Sequence, residues 1–206
     1  MKLYEMTQAP NPRRVRIFLA EKGIEVPLVQ VDMAKGEHKT AAFLAKNPSG
    51  KIPVLELDDG TCIAESVAIC RYFEALHPSP SLFGDTPVAL GLIEMANRQL
   101  EFELLGQVGI SWVNGPVVAK MAPGRFKQNP EAKAASDAAV PRFYQRLDKQ
   151  LAQQQWLAGD AFSIADITGL CTIDFASNLV GLQPDAGLAN LWRWHTDASA
   201  RPSAKA

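Results

Sequence analysis

Apolar and polar positions change period several times in the first part of the chain, and then settle into one period for the rest. Lys2 to Glu5 reads as a short strand. From Pro12 to Lys22, Val15, Phe18 and Leu19 recur at helical spacing, and Gly23 stands where a C-terminal cap belongs. Val26 to Val31 reads as a second strand, with Pro27 pointing to an edge or a strand start. A short helix over Thr40 to Lys46 stops at the turn formers Asn47-Pro48-Ser49-Gly50. Val54 to Leu57 and Thr61 to Ile63 flank Asp58-Asp59-Gly60, a hairpin signal. Ser66 opens a helix with Val67, Cys70 and Phe73 on one face, ending at His77-Pro78. The expected order is β-α-β-α-β-β-α.

Pro78 to Pro87 reads as a linker, and beyond it the pattern is helical throughout. A long helix is expected from Val88 to about Lys120, bent near Gly106 or Gly109 or broken at Gly115-Pro116. Others are expected over Ala132 to Gln154, with Pro141 as a kink or an earlier start, over Ser163 to Asn178 and over Ala186 to Ala198. Ser163-Ile164-Ala165-Asp166 has the spacing of a capping box, with Phe162 and Ile167 at the staple positions. That signal concerns fold initiation, not catalysis. The fold class is therefore an α/β N-terminal domain, residues 1–79, followed by an all-α domain, residues 87–206.

The bulk properties narrow the function without identifying it. A chain of 206 residues suits two small domains, and 47% hydrophobic content is enough to bury a core in each. A net charge of −1 argues against nucleic acid or an anionic membrane as partner. Met1-Lys2-Leu3-Tyr4-Glu5 turns polar too soon for a signal peptide, and no apolar run reaches the length of a membrane span. Cys62, Cys70 and Cys171 form no CxxC pair and leave one over, which favours a reducing, cytoplasmic setting. The three histidines have no metal-ligand spacing, so no metal is expected.

Two short motifs can carry chemistry. In Gly50-Lys51-Ile52-Pro53 a proline follows a turn and precedes a strand. A cis peptide there leaves the Ile52 backbone unpaired, able to add an extended peptide as a further strand, although an ordinary loop proline fits the same residues. In Glu65-Ser66 a serine begins a helix whose first N–H groups form an anion site, while the glutamate can face an ammonium group. Together they suit an α-amino-acid head, and a plain cap suits them as well.

Asn47 to Leu55, followed by a hairpin and by Ile63-Ala64-Glu65-Ser66-Val67-Ala68-Ile69 with Tyr72, resembles the glutathione-binding half of the cytosolic glutathione S-transferases. The resemblance extends to the helical second half, the Ser163 to Asp166 box and the tail with Leu191-Trp192 and Arg201-Pro202-Ser203. Tyr4 to Gly23 looks most like the bacterial and fungal theta-like or atypical members. The family has a thioredoxin-like first domain, so the resemblance implies that fold here. It also implies that Glu65 and Ser66 hold the γ-glutamyl amine and carboxylate, that Ile52 before a cis-Pro53 pairs with the cysteinyl unit, and that Lys51 and His38 lie near the glycyl carboxylate.

One stretch departs from the family pattern. Where a sulfur-activating Tyr, Ser or Cys is usual, this chain reads Met6-Thr7-Gln8-Ala9-Pro10-Asn11-Pro12. Tyr4 lies within the expected strand, too early to reach the sulfur. Asn11 is expected as N-cap with Pro12 at the first helical position, and its amide can cap the helix, donate to a thiolate, or both. Thr7 is a second candidate. Lowering a thiol pKa from near 8.5 to about 7 takes roughly 2 kcal/mol, and free N–H groups at Arg13 and Arg14 are expected to supply much of it.

The second substrate is expected to be apolar, between the domains, against Leu104, Leu105, Val108, Ile110, Trp112 and Val113, with Ser111 and Asn114 holding a water near the sulfur. The resemblance implies a cytoplasmic, homodimeric transferase of alkyl or aryl groups in detoxification, with glutathione as co-substrate. A glutathione-dependent disulfide reductase or peroxidase is the alternative within the family. A non-catalytic binding or regulatory protein is the alternative outside it.

Overall fold

A computed structural model describes residues 1–121, 124 and 127–206 of the chain. It divides into two compact units, Met1–Leu82 with Pro202–Ala206, and Phe83–Arg201. The five C-terminal residues thus pack with the first unit, not with the helices that precede them.

The first unit is a four-stranded sheet with helices. Its elements are β1 (Lys2–Glu5), α1 (Pro10–Lys22), β2 (Leu28–Gln30), a one-turn 3₁₀ segment at Glu37–Lys39, α2 (Ala41–Leu44), β3 (Val54–Glu56), β4 (Cys62–Ala64) and α3 (Ser66–Leu76). The sheet order is β2-β1-β3-β4, with β1 parallel to β2 and antiparallel to β3, and β3 antiparallel to β4. This is the expected thioredoxin-like arrangement. Leu3 and Leu55 of the sheet and Val15, Phe18, Ile69 and Phe73 of the helices are almost fully buried in a core between the sheet and the α1–α3 layer, while Val54 packs on the other face with Val31, Phe43 and Tyr4. Lys22 ends α1 with its side chain buried, donating to the carbonyls of His77 at 2.8 Å and Pro80 at 2.5 Å and pairing with Glu74 at 2.5 Å. It thereby supplies a cation to the carbonyl end of α3.

The second unit is helical: α4 (Pro87–Gln99), a π-helical stretch Leu100–Leu105, α5 (Gly106–Val113), α6 (Pro116–Met121), α7 (Pro130–Leu151), α8 (Ile164–Phe175), a second π-helical stretch Ala176–Val180, and α9 (Ala189–Ser199). The expected break at Gly115-Pro116 is present between α5 and α6. Pro141 lies inside α7, which begins two residues earlier than expected, with Asn129 capping the Ala132 N–H at 3.0 Å. Ser163 and Asp166 form the capping box of α8. Asp166 is fully buried, and its carboxylate accepts from Leu157 N–H and Trp194 Nε1 at 2.8 Å, from Ser163 N–H at 2.9 Å and from Ser163 Oγ at 3.1 Å. One residue thus joins the start of α8 to the preceding loop and to α9. Gly169 lets them approach: a Cβ there would meet Leu157 Cδ1 at 2.6 Å and the Trp194 ring at 3.1 Å.

Candidate functional site

The loop before β3 is built by Asn47. Buried itself, it donates from Nδ2 to the Lys51 carbonyl at 2.8 Å and accepts at Oδ1 from the Ser49 N–H at 3.2 Å and hydroxyl at 2.9 Å. Gly50 closes the turn by donating to the Asn47 carbonyl at 2.9 Å with φ +61°, and a Cβ on it would meet Lys39 Nζ at 2.5 Å and the His38 carbonyl at 2.9 Å. Glycine is required here both for its left-handed backbone and for the close approach of the 37–39 turn. The loop ends in a cis Ile52–Pro53 bond. The backbone N–H and C=O of Ile52 make no hydrogen bond to any described residue.

The register of the hairpin decides what faces that open edge. Val54 pairs with Ala64, Leu55 with Ile63 and Glu56 with Cys62. The ladder ends at the Val54–Ala64 pair, so Pro53 directly precedes one member of its last pair and Glu65 directly follows the other. The two motifs, twelve residues apart in the chain, thus meet at one end of the sheet. Glu65 is exposed and has φ 68°, a left-handed conformation that side chains other than glycine rarely adopt. It turns the chain sharply from β4 into α3 and leaves the first-turn N–H groups of Ser66, Val67 and Ala68 with no side-chain cap. Ser66 is nearly buried and accepts from Arg14 Nη1 at 2.7 Å. With an oxygen lone pair engaged by the guanidinium, its hydroxyl proton is left to donate outward.

The start of α1 differs from expectation. The helix begins at Pro10, with Ala9 as N-cap in extended conformation, so Asn11 is the second helical residue and not the cap. Two prolines in the first turn explain the shift: each has a φ suited to the helix, and Pro10 is tolerated at the first position as readily as Pro12. The same prolines lack N–H groups, and the Arg13 N–H is already donated to the Ala9 carbonyl at 3.2 Å. The N–H of Arg13, one of the two expected to face a thiolate, is therefore not free, whereas the Asn11 N–H, which was not among them, makes no hydrogen bond to a described residue. Asn11 is half-buried, and its side chain has no hydrogen bond to a described residue.

The other hydroxyl candidates are committed elsewhere. Thr7 Oγ1 donates to Gln30 Oε1 at 3.1 Å. Tyr4 Oη donates to Glu56 Oε2 at 2.7 Å, which Lys46 Nζ also reaches at 2.7 Å. Those two donors hold the Glu56 carboxyl down at about 2. His38 is 1% exposed, so its ring offers no open surface to a ligand. Its neighbours Lys39 and Lys51 are exposed on either side of Gly50. Lys39 and Arg14 were missed in the sequence because each meets a residue distant in the chain, Gly50 and Ser66; Asn47 was read only as a turn former. In the second unit Leu104 and Val108 are fully buried and belong to the core, while Ile110 is 40% exposed. Ser111 is buried and donates to Asp137 at 2.6 Å, and Asn114 binds the Ile110 carbonyl at 2.9 Å. Both side chains have partners within their own unit.

Among the described residues no group of three or more His, Cys, Asp or Glu side chains is placed to hold a metal ion, and no helix is long and apolar enough to cross a membrane.

Comparison with known proteins bears on this arrangement. The family model for the glutathione S-transferase N-terminal domain matches residues 9–76, and that for the C-terminal domain matches residues 112–202. Glutathione S-transferase 2 of Saccharomyces cerevisiae is 40% identical over 212 aligned positions, covering 100% of this chain and 88% of that protein. The crystal structure of Gtt2 from Saccharomyces cerevisiae superimposes with a TM-score of 0.93 at 40% identity, covering 100% of this chain and 99% of the other. A glutathione S-transferase of class Gtt2 from Vibrio parahaemolyticus gives 0.85 at 35% identity, covering 98% and 94%. These relatives do not confirm the narrower expectation of a bacterial theta-like class.

Proposed function

This chain belongs to the glutathione S-transferase family and is an enzyme of that class; on that premise we propose how its own residues hold and use the tripeptide. The γ-glutamyl carboxylate lies on the open N–H groups at the start of α3 and the outward Ser66 hydroxyl, and the γ-glutamyl ammonium lies beside Glu65. The cysteinyl unit pairs with the Ile52 backbone next to Pro53. The glycyl carboxylate reaches the cations Lys51 and Lys39. His38 enters through the backbone that abuts Gly50, not through an exposed ring. The observation that carries this reading is the unpaired backbone of Ile52 at the same end of the β3–β4 ladder as the uncapped start of α3. An extended peptide completes both at once.

The sulfur then sits by the first turn of α1, where the Asn11 amide and backbone N–H donate to the thiolate. The thiolate attacks an apolar electrophile: with an aryl halide the S–C bond forms, the C–halogen bond breaks and halide leaves. A second reading, reduction of a mixed disulfide or a peroxide, is supported by the commitment of Thr7 and Tyr4 to other partners, which leaves no side-chain hydroxyl for the sulfur. Within the family the full-length likeness to the yeast protein supports placing the chain with the Gtt2-type members. Val88, Leu92 and Met95, exposed at 70%, 46% and 52% along one stripe of α4, support a homodimer; light scattering at the mass of one chain would remove it.

Calorimetry with glutathione tests the grip, and binding is expected. No heat and no retention on immobilised glutathione would overturn it. Turnover of an aryl halide, a peroxide and a mixed disulfide by the same preparation separates the two chemical readings.

A further inference from the structure

We infer that the buried Glu5–Arg16 pair is the positioning device of the thiol site, setting the backbone from which Asn11 acts. Glu5 is charged yet 0% exposed, on the same face of β1 as Leu3. Arg16, in the second turn of α1, meets it with Nη1 and turns its other nitrogen, Nη2, to the Thr7 carbonyl at 2.9 Å. Gln30 of β2 closes the opposite side. Its Nε2 donates to Glu5 Oε1, while its own Oε1 accepts from the Thr7 N–H at 3.2 Å and the Thr7 hydroxyl at 3.1 Å. A strand end, the loop after it, a helix and the neighbouring strand are thus joined in one polar ring.

The ring holds the loop that leads into α1. Asn11 has no side-chain hydrogen bond to a described residue, so its place follows from α1 and from the backbone between Met6 and Pro10 that enters it. That backbone turns once, with the Ala9 N–H on the Met6 carbonyl at 3.0 Å, and every backbone and side-chain polar group of Thr7 is held by the ring. The γ-glutamyl grip is braced separately, by Arg14 on Ser66. The pair therefore governs the donor to the sulfur and leaves the grip alone. Arginine is required: its planar fork holds a carboxylate and a carbonyl at a fixed angle, which a single ammonium cannot do.

This inference rests on the glutathione reading, and the test separates the two. The probes are glutathione binding by calorimetry, the pKa of the bound thiol from thiolate absorbance against pH, and the thermal midpoint, each for the wild type, Arg16→Lys and Gln30→Ala. With Arg16→Lys the bound thiol pKa rises by about one unit, a tenfold loss of thiolate per unit, while glutathione affinity stays within about twofold. With Gln30→Ala, an exposed position whose variant keeps the Glu5–Arg16 pair, the pKa rises by a smaller amount in the same direction, and this variant decides the matter if Arg16→Lys does not fold. A lowered midpoint with an unmoved thiol pKa makes the pair merely structural and overturns the inference. So does a loss of affinity equal to the loss of thiolate. Failure of the wild type to bind glutathione overturns both readings.

Discussion

Two helix starts in this molecule use the same residue types to opposite ends. Each has a nearly or fully buried serine and a carboxylate within three positions: Glu65-Ser66 at α3, and Ser163 with Asp166 at α8. At α8 the carboxylate follows the serine by three residues, so it folds back to the Ser163 N–H while the Ser163 side chain accepts from the Asp166 N–H, and the box closes on itself. At α3 the carboxylate precedes the serine, on a residue with φ 68°, and the first-turn N–H groups stay open. A closed start contributes stability to the fold, while an open one keeps its dipole and its donors for a ligand. The order of two residues decides which role a helix end takes.

The sharpest way to break this comparison is to empty the closed start. Asp166→Ala leaves four donors without their acceptor, at least two of them deep in the core. At about 1–3 kcal/mol for each donor that water cannot reach, a total loss of about 3–4 kcal/mol is expected. Chemical denaturation measures it, and the surviving folded enzyme should keep an unchanged KM for glutathione. Normal stability with lost activity would reverse the assignment. The same carboxyl has a pH signature. Burial pushes it from an ordinary 3.8 up to about 6, against the pull of its donors. A carboxyl raised in the folded state favours folding most below its unfolded value, and that contribution is lost as pH rises through about 6. Two units or so amount to about 3 kcal/mol between pH 4 and 7. Asp166→Asn should lack that slope, and parallel curves for the two proteins would contradict it.

Closing the open start has the next largest effect, and on binding instead of stability. Ser66→Ala removes one donor to a charged group and should weaken glutathione by about 1–3 kcal/mol, with only a small change in the thermal midpoint. Calorimetry reporting unchanged affinity would take Ser66 out of the site. The two variants should therefore cross: Asp166→Ala unfolds and still binds, Ser66→Ala folds and binds poorly.

What the sequence revealed follows the same division between local and long-range causes. The strand Lys2–Glu5, the break at Gly115 and the Ser163 box were legible because each depends on neighbours within a few residues. The cis Ile52–Pro53 bond and the helix start at Ser66 were legible because each carries a local motif, and the hairpin between them brings the two together. The start of α1 was misplaced because two prolines compete for one position, and local propensity favours Asn11 as a cap. Nothing in the sequence marked Glu5 as buried, since its partners Arg16 and Gln30 lie 11 and 25 positions away. Ser111 read as a free hydroxyl for the same reason, its acceptor Asp137 being 26 residues on. The π-helical stretches at 100–105 and 176–180 are changes of hydrogen-bond register with no signal in residue type.

The smallest expected effect lies at a third helix start, which falls between the other two. The first turn of α1 is neither filled by a side chain nor rich in donors, because Pro10 and Pro12 remove two of its N–H groups. A thiolate there has the Asn11 backbone N–H and the Asn11 amide, and little else from the helix. Losing the amide in Asn11→Ala should slow thiolate chemistry about tenfold, or about 1.4 kcal/mol, a reasonable share for one donor. The bound thiol pKa should rise by about one unit and stay below that of free glutathione. Asn11→Ser, which brings a hydroxyl to the same position, should recover part of the loss, and Thr7→Val should do little because that hydroxyl is spent on Gln30. Pro10→Ala sharpens the point from the other side. It restores a backbone N–H with no new side chain, and the thiol pKa should fall by a few tenths of a unit. If Thr7→Val abolishes activity while Asn11→Ala is harmless, the sulfur lies beside the wrong residue. If Asn11→Ala and Pro10→Ala both leave the pKa unmoved, the first turn of α1 takes no part in holding the thiolate, and its two prolines serve only to start the helix.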